Sequence, residues 1–559
     1  MKIAILFLLL LLHLKATVSA DDLAELAREF WEWRALHQPL SGDDIPRIER
    51  QADWLPDWSA TTLAQRRQTA IDFEQRWKQI KVADWPVPKQ VDYRLIGSAI
   101  SRVHWELELL RSWRRDPTFY LDQTLGAIFD RLLQPPPFDA TRSAQILRRM
   151  ANIPRTIQEA TANLDEPVAP FASLAIEQLR DVRSRLQTVS RELKSVLAPE
   201  SAAQMDGATE RAIQALEFYR DWLQQHLPSM AATTSIGPQV YEYFLRRVAL
   251  LPFTPEQLLA MGRQEWERSV AFETYEKNRN EGLPQLSIPL NQTFQMVREE
   301  WEELAIRRLL TEKDLLTVPR WVQHYRNLPL PSYLEPLKSL GVTDDLTSAN
   351  RLTENGISYI PVPGPALSYF YLATARDPRM LLVHEGIPGH YLQMVLSWAH
   401  ENPIRRHYYD SAVNEGIGFY SEEMMLQAGL FDNSPRTREM IYNFMRLRAL
   451  RVEVDVKLAL GEFTIFEATE YLENTVPMDH PTAVQEAAFF AASPGQAICY
   501  QIGKLQILKF LAAARRMHGD AFHLRVFHDF IWKNGNVPLS LQRWEYLGLK
   551  DEIESLDQR

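Results

Sequence analysis

An all-helical fold with minor strand content is what this sequence predicts, and three observations predict it. Apolar residues recur at steps of three and four along most of the 559 residues. Helix punctuation is clear where those stripes begin and end, and period-two alternation is almost confined to one short segment. Leu179, Val182, Leu186, Val189, Leu193 and Val196 make one apolar stripe between charged faces, and Pro199 is expected to stop that helix. Thr254, with Pro255 at the first turn and Gln257 three residues after the cap, has the pattern of a capping box and opens another helix. The best strand candidate is the segment from Gly356 to Val362. Breaks fall at Gln134-Pro135-Pro136-Pro137 and from Ala231 to Pro238. The second divides the chain into an N-terminal helical lobe, 21–230, and a C-terminal lobe, 231–559, that carries the chemistry.

Composition narrows the function classes. The chain is longer than one compact core usually organises. Its 46% apolar and 24% charged residues are those of a folded protein. A formal charge of −10 with no long basic run argues against nucleic acid as a partner. At the start, Lys2 precedes the apolar run Ile3 to Leu12, then Val18-Ser19-Ala20 and two acids. This pattern reads as a signal peptide, residues 1–20, cut after Ala20. The run is short of the ~20 residues a spanning helix needs, and no later stretch is long and apolar enough. We therefore expect a periplasmic or secreted protein with no stable membrane insertion after cleavage. Cys499 is the only cysteine, so no intramolecular disulfide can form.

The chemistry concentrates in Leu382-Val383-His384-Glu385-Gly386-Ile387-Pro388-Gly389-His390-Tyr391-Leu392-Gln393. Two histidines four apart with a Glu between them share a helix face and bind zinc. Here the spacing is six. A regular helix would set these side chains about 120° apart around its axis and about 9 Å along it, too far for one ion. Pro388 lacks an N–H, and its ring collides with the carbonyl of His384. Gly389 tolerates backbone shapes closed to other residues. The prediction is a widened or broken turn that returns both imidazoles to one side.

A third ligand is expected from another helix. Glu415 lies in Asn414-Glu415-Gly416-Ile417-Gly418-Phe419-Tyr420-Ser421-Glu422-Glu423, a distance that suits one helix, a turn and the start of a second. His384, His390 and Glu415, with the fourth position left to water, make a catalytic set for one Zn²⁺. Glu422, seven residues on and on the same face, is placed to orient a ligand. Glu385 is the candidate general base and later acid. Tyr500, in Pro494-Gly495-Gln496-Ala497-Ile498-Cys499-Tyr500-Gln501-Ile502-Gly503, is the candidate donor to a developing oxyanion. His400, His407, His518, His523 and His528 lack such a setting and read as structural.

At these residues the sequence resembles a bacterial family known as domain of unknown function 885. Its hallmarks are H-E-x-x-P-G-H-x-x-Q, E-G-x-x-x-Y-x-E and P-G-Q-A-x-x-Y-x-I-G, met here at His384–Gln393, Glu415–Glu422 and Pro494–Gly503. The likeness continues into Phe527-His528-Asp529 and Asn534-Gly535-Asn536-Val537-Pro538-Leu539. It implies a helical fold similar to carboxypeptidase Taq and angiotensin-converting-enzyme-like peptidases, with two lobes around a deep channel over zinc. It also implies His384, His390 and Glu415 as ligands and Glu385 as the catalytic carboxylate. The sequence departs from the pattern at Phe489-Phe490 and Gln501, where the family pattern carries cations, so the likeness does not extend to how a substrate carboxylate is gripped.

The expected reaction is hydrolysis of a peptide or similar small amide. Two rivals stand beside it. One is a zinc hydrolase of a non-peptide amide or ester, such as a cell-wall fragment. The other is an exported binding protein whose metal site is structural or vestigial.

Overall fold

The computed structural model describes residues 20–41 and 49–558. The first nineteen residues, which hold all of the expected leader except Ala20, lie outside the described residues. The fold is all-α: 69% of the chain is helical and 3% is strand. Among the described residues, no helix is long and apolar enough to cross a membrane.

The stripe from Leu179 to Leu193 is buried, as its spacing predicts. Its helix differs in extent, running only from Val182 to Leu193. Pro199 does not stop it. That proline opens the next helix, Pro199–His226, at the first turn, where its missing N–H costs nothing. At Thr254 the capping box forms in full, and the helix Pro255–Arg279 follows. Both Pro-rich and Ala231–Pro238 breaks are irregular connections between helices.

Three short strands form one sheet in the order β1-β3-β2: β1, Tyr325–Pro329; β2, Asp344–Asp345; and β3, Gly356–Ile360. β1 runs parallel to β3 and β2 antiparallel to it, with Ser358 opposite Asp344. Every residue of β3 is buried, which fits its central place.

The largest apolar cluster is built mostly from helices between Leu23 and Leu223, joined by later residues such as Tyr333, Tyr408 and Trp544. A second cluster surrounds the His384–His390 segment and the helix Ser411–Gln427, with Trp532 fully enclosed in it. A channel of about 1000 Å³ is lined by residues of both masses, among them Trp31, Trp58 and Trp113 and also His384, Glu385, His390, Glu415 and Tyr500.

Candidate metal centre

The backbone breaks between the two histidines. A wide, π-type turn spans Leu382–Gly386, Ile387 is extended, the Ile387–Pro388 peptide is cis, and a new helix, His390–Trp398, starts after Gly389. The imidazole rings end 4.7 Å apart, nearly perpendicular at 82°. A Cβ on Gly389 would lie 1.7 Å from the carbonyl oxygen of His384, so only glycine fits here. The Trp532 indole donates to the Pro388 carbonyl at 2.7 Å and holds the turn from behind. Gln393 links Asn414 and Asn536, at 2.9 and 3.1 Å, and ties the His390 helix to the Glu415 helix.

Glu415 comes from the helix Ser411–Gln427, which is N-capped by Asp410. Between it and the His390 helix stands an extra short helix, Pro403–His407, where a simple turn was expected. The carboxylate Oε2 of Glu415 lies 3.3 Å from Nε2 of His384 and 3.3 Å from Nε2 of His390. A tetrahedral ion with ligand bonds of about 2.0–2.2 Å sets its donors about 3.3–3.6 Å apart. Both nitrogens lie at that spacing from the oxygen, all three atoms lie within 4.8 Å of one another, and they are the one such grouping among the described residues.

Of the two imidazoles, His384 is oriented by a neighbouring carboxylate, while Nδ1 of His390 is buried without a hydrogen-bond partner. The imidazole of His384 contacts Glu422 through Nδ1 at 2.7 Å, which leaves Nε2 facing Glu415 and His390. Arg448, from the helix Pro435–Leu460, holds Glu422 at 2.9 Å. Burial favours the uncharged form of His384, but Glu415 and Glu422 overcome it and hold its pKa above the ordinary value. Burial also opposes the charge on Glu415, and His390 and His384 more than offset it, so this group stays ionised well into acid. Glu422 is likewise lowered, against burial, by Arg448 and His384. We expect Glu422→Gln to weaken zinc binding by about 10–100-fold while the fold persists. Competition with a chromogenic chelator, beside a circular dichroism spectrum, measures both.

Glu385 stands beside this trio without joining it, with Oε2 3.8 Å from His390 Nε2. Burial pushes its carboxyl up to about 8; His390 pulls the other way, while Asp344 adds repulsion. Asp344 accepts hydrogen bonds from Tyr325 and Ser358 at 2.6 and 2.7 Å, so the sheet carries a second carboxylate to the channel wall. The ring of Tyr500 stacks on His384 at 6.2 Å between centroids. Burial and the nearby Glu415 lift its hydroxyl well above the ordinary phenol range, so it stays a proton-bearing donor.

The match to the family described as bacterial protein of unknown function DUF885 covers residues 41–298 and 330–544. The chain belongs to this family. Two solved structures share the fold of this DUF885 protein. A candidate lipoprotein from Colwellia psychrerythraea is 16% identical with a TM-score of 0.71, covering 97% of this chain and 99% of that one. A candidate lipoprotein of unknown function from Shewanella oneidensis is 18% identical with a TM-score of 0.67, covering 94% and 97%. No curated protein matches.

All five residues singled out from the DUF885 sequence, His384, Glu385, His390, Glu415 and Tyr500, line the channel. Sequence reasoning missed three supports. Asp455 accepts backbone N–H bonds from Gly495, Ala497 and Ile498 at 2.8, 2.7 and 3.2 Å, fixing the turn that launches the Tyr500 helix, Cys499–His518. Arg448 sits in a long helix with no local motif. Gly418 forms the floor of the site: a Cβ there would meet His390 at 2.9 Å and His384 at 3.0 Å. Its place one turn after Glu415 was the available signal.

Proposed function

We propose that this protein is a zinc-dependent hydrolase that cleaves peptide bonds in short peptides. The observation that carries the reading is the donor spacing: two imidazole nitrogens, each 3.3 Å from one carboxylate oxygen, beside a carboxylate that belongs to none of them. A structural zinc site closes with four protein ligands, whereas three ligands open to a channel fit catalysis. His384, His390 and Glu415 would hold the ion, which supplies Lewis-acid polarisation of a carbonyl and a water of lowered pKa.

The chain's own groups supply the rest. Glu385 accepts a proton from the attacking water and returns it to the leaving amine. It needs the ionised form for the first step, which burial, Asp344 and Glu415 oppose and His390 favours, as a bound cation would. The Tyr500 hydroxyl donates to the oxygen on which negative charge develops. Glu422 and Arg448 fix the His384 ring so that none of this geometry must be found during the reaction. The sequence pattern at residues 1–20 and the lipoprotein descriptions of the two structural neighbours support export.

The test is a panel of short peptides, small amides and esters, with the full chain stripped by chelator and then reloaded with zinc. The reading expects peptide cleavage that disappears on stripping and returns with zinc. Cleavage of amides or esters alone would favour the non-peptide hydrolase. Full zinc occupancy with no turnover of any compound would favour a binding protein.

A further inference from the structure

Next to the ligands the channel wall turns aromatic. Tyr500 stacks on His384, Arg448 lies 5.8 Å from its ring centroid, and its nearest guanidinium is that of Arg451 at 4.7 Å. That guanidinium lies 5.7 Å from the Phe370 ring, and Phe370 lies 5.8 Å from Phe444. Phe370, Phe444, Phe489, Arg451 and Tyr500 all line the channel. The pocket is thus continuous with the metal ligands, a few ångströms from where a scissile bond would sit.

Each of its two guanidinium groups faces a carboxylate, Arg448 that of Glu422 and Arg451 that of Glu486. Arg451 makes two hydrogen bonds to Glu486, at 2.7 and 2.6 Å, which cancel its charge and lock its plane. What it offers a ligand is a flat, weakly hydrated face among ring faces. Phe489 adds another apolar wall. We infer that this pocket is a specificity site for an aromatic side chain of the substrate, on a residue flanking the cleaved bond. Stacking beside Tyr500 and on the Arg451 plane orients such a ring, whereas a cationic side chain would lose its hydration beside the guanidinium groups of Arg448 and Arg451.

This inference rests on the hydrolase reading, and two arms keep their failures apart. In the first, zinc-loaded full chain is given peptides that differ only in one residue flanking the cleaved bond: Phe, Ala, Glu or Lys. Phe should exceed Ala in kcat/KM by about 10–100-fold, with Lys below Ala. Phe489→Ala should cut the Phe-to-Ala ratio by about tenfold. Cleavage with equal rates, or with a preference for Glu or Lys, overturns the pocket and leaves the hydrolase standing. The second arm needs no turnover: calorimetry of the same protein with N-acetyl-phenylalanine amide and N-acetyl-alanine amide. Tighter binding of the phenylalanine compound, weakened in Phe489→Ala, supports the pocket even if no peptide is cleaved. Equal binding, or none of either, overturns it.

Discussion

Glu385→Gln is expected to keep one zinc per chain and lose turnover by about 10²–10⁴-fold, the range that a positioned general base supplies. The substitution preserves size and removes the proton-accepting charge. The ligand atoms are untouched, because Glu385 Oε2 is 3.8 Å from His390 Nε2 while the ligand trio is closed by Glu415 at 3.3 Å. A loss confined to kcat, with zinc content intact, is the signature of a group that acts on the reaction and not on the metal. Zinc analysis and steady-state kinetics on the same preparation check it. Unchanged turnover would remove Glu385 from the mechanism.

Gly389→Ala should be the most damaging single methyl in the chain. The added Cβ would sit 1.7 Å from the His384 carbonyl oxygen and 2.5 Å from that of Val383, both backbone atoms with no side-chain freedom to yield. The turn must open, and opening it moves the imidazoles that it brings within 4.7 Å of each other. A cost of about 3 kcal/mol or more in stability is expected, since overpacking a rigid site typically costs 1–3. Zinc binding should fall below detection. Thermal melts and metal analysis read the two effects, and a normal melt with full zinc would show that the turn has another route. By comparison, a methyl on Gly418 meets the His390 and His384 rings at 2.9–3.0 Å and no backbone atom, so it should disturb the metal site more than the fold.

These two residues show how much of the site was legible in the sequence. A spacing of six between His384 and His390 is incompatible with a regular helix, and the Pro-Gly between them names the remedy; the structure follows it, with the helix broken and restarted at His390. Glu415 and Glu422 were readable because both chemistry and helix periodicity point to them, and Glu422 indeed meets His384. The Thr254 cap and the β3 segment were readable for the same local reasons. What stayed hidden is long-range. Arg448 reaches Glu422 from another helix, and Asp455 reaches Gly495 across 40 residues, with no pattern near either to announce it. The close crossing of Gly416 and Gly503, where a Cβ on either would come within 2.7 Å of the other's Cα, sets Tyr500 beside Glu415; one helix alone does not reveal its neighbour. The misplaced helix end near Pro199 has a local cause. A proline both ends one helix and starts the next, and the stripe before it does not say which.

The account depends on one ion shared by three side chains, and metal content tests it most directly. Purified wild type and His390→Ala, each dialysed against the same zinc buffer, should carry one zinc per chain and none. Wild type without zinc, or His390→Ala with a full equivalent, would contradict it.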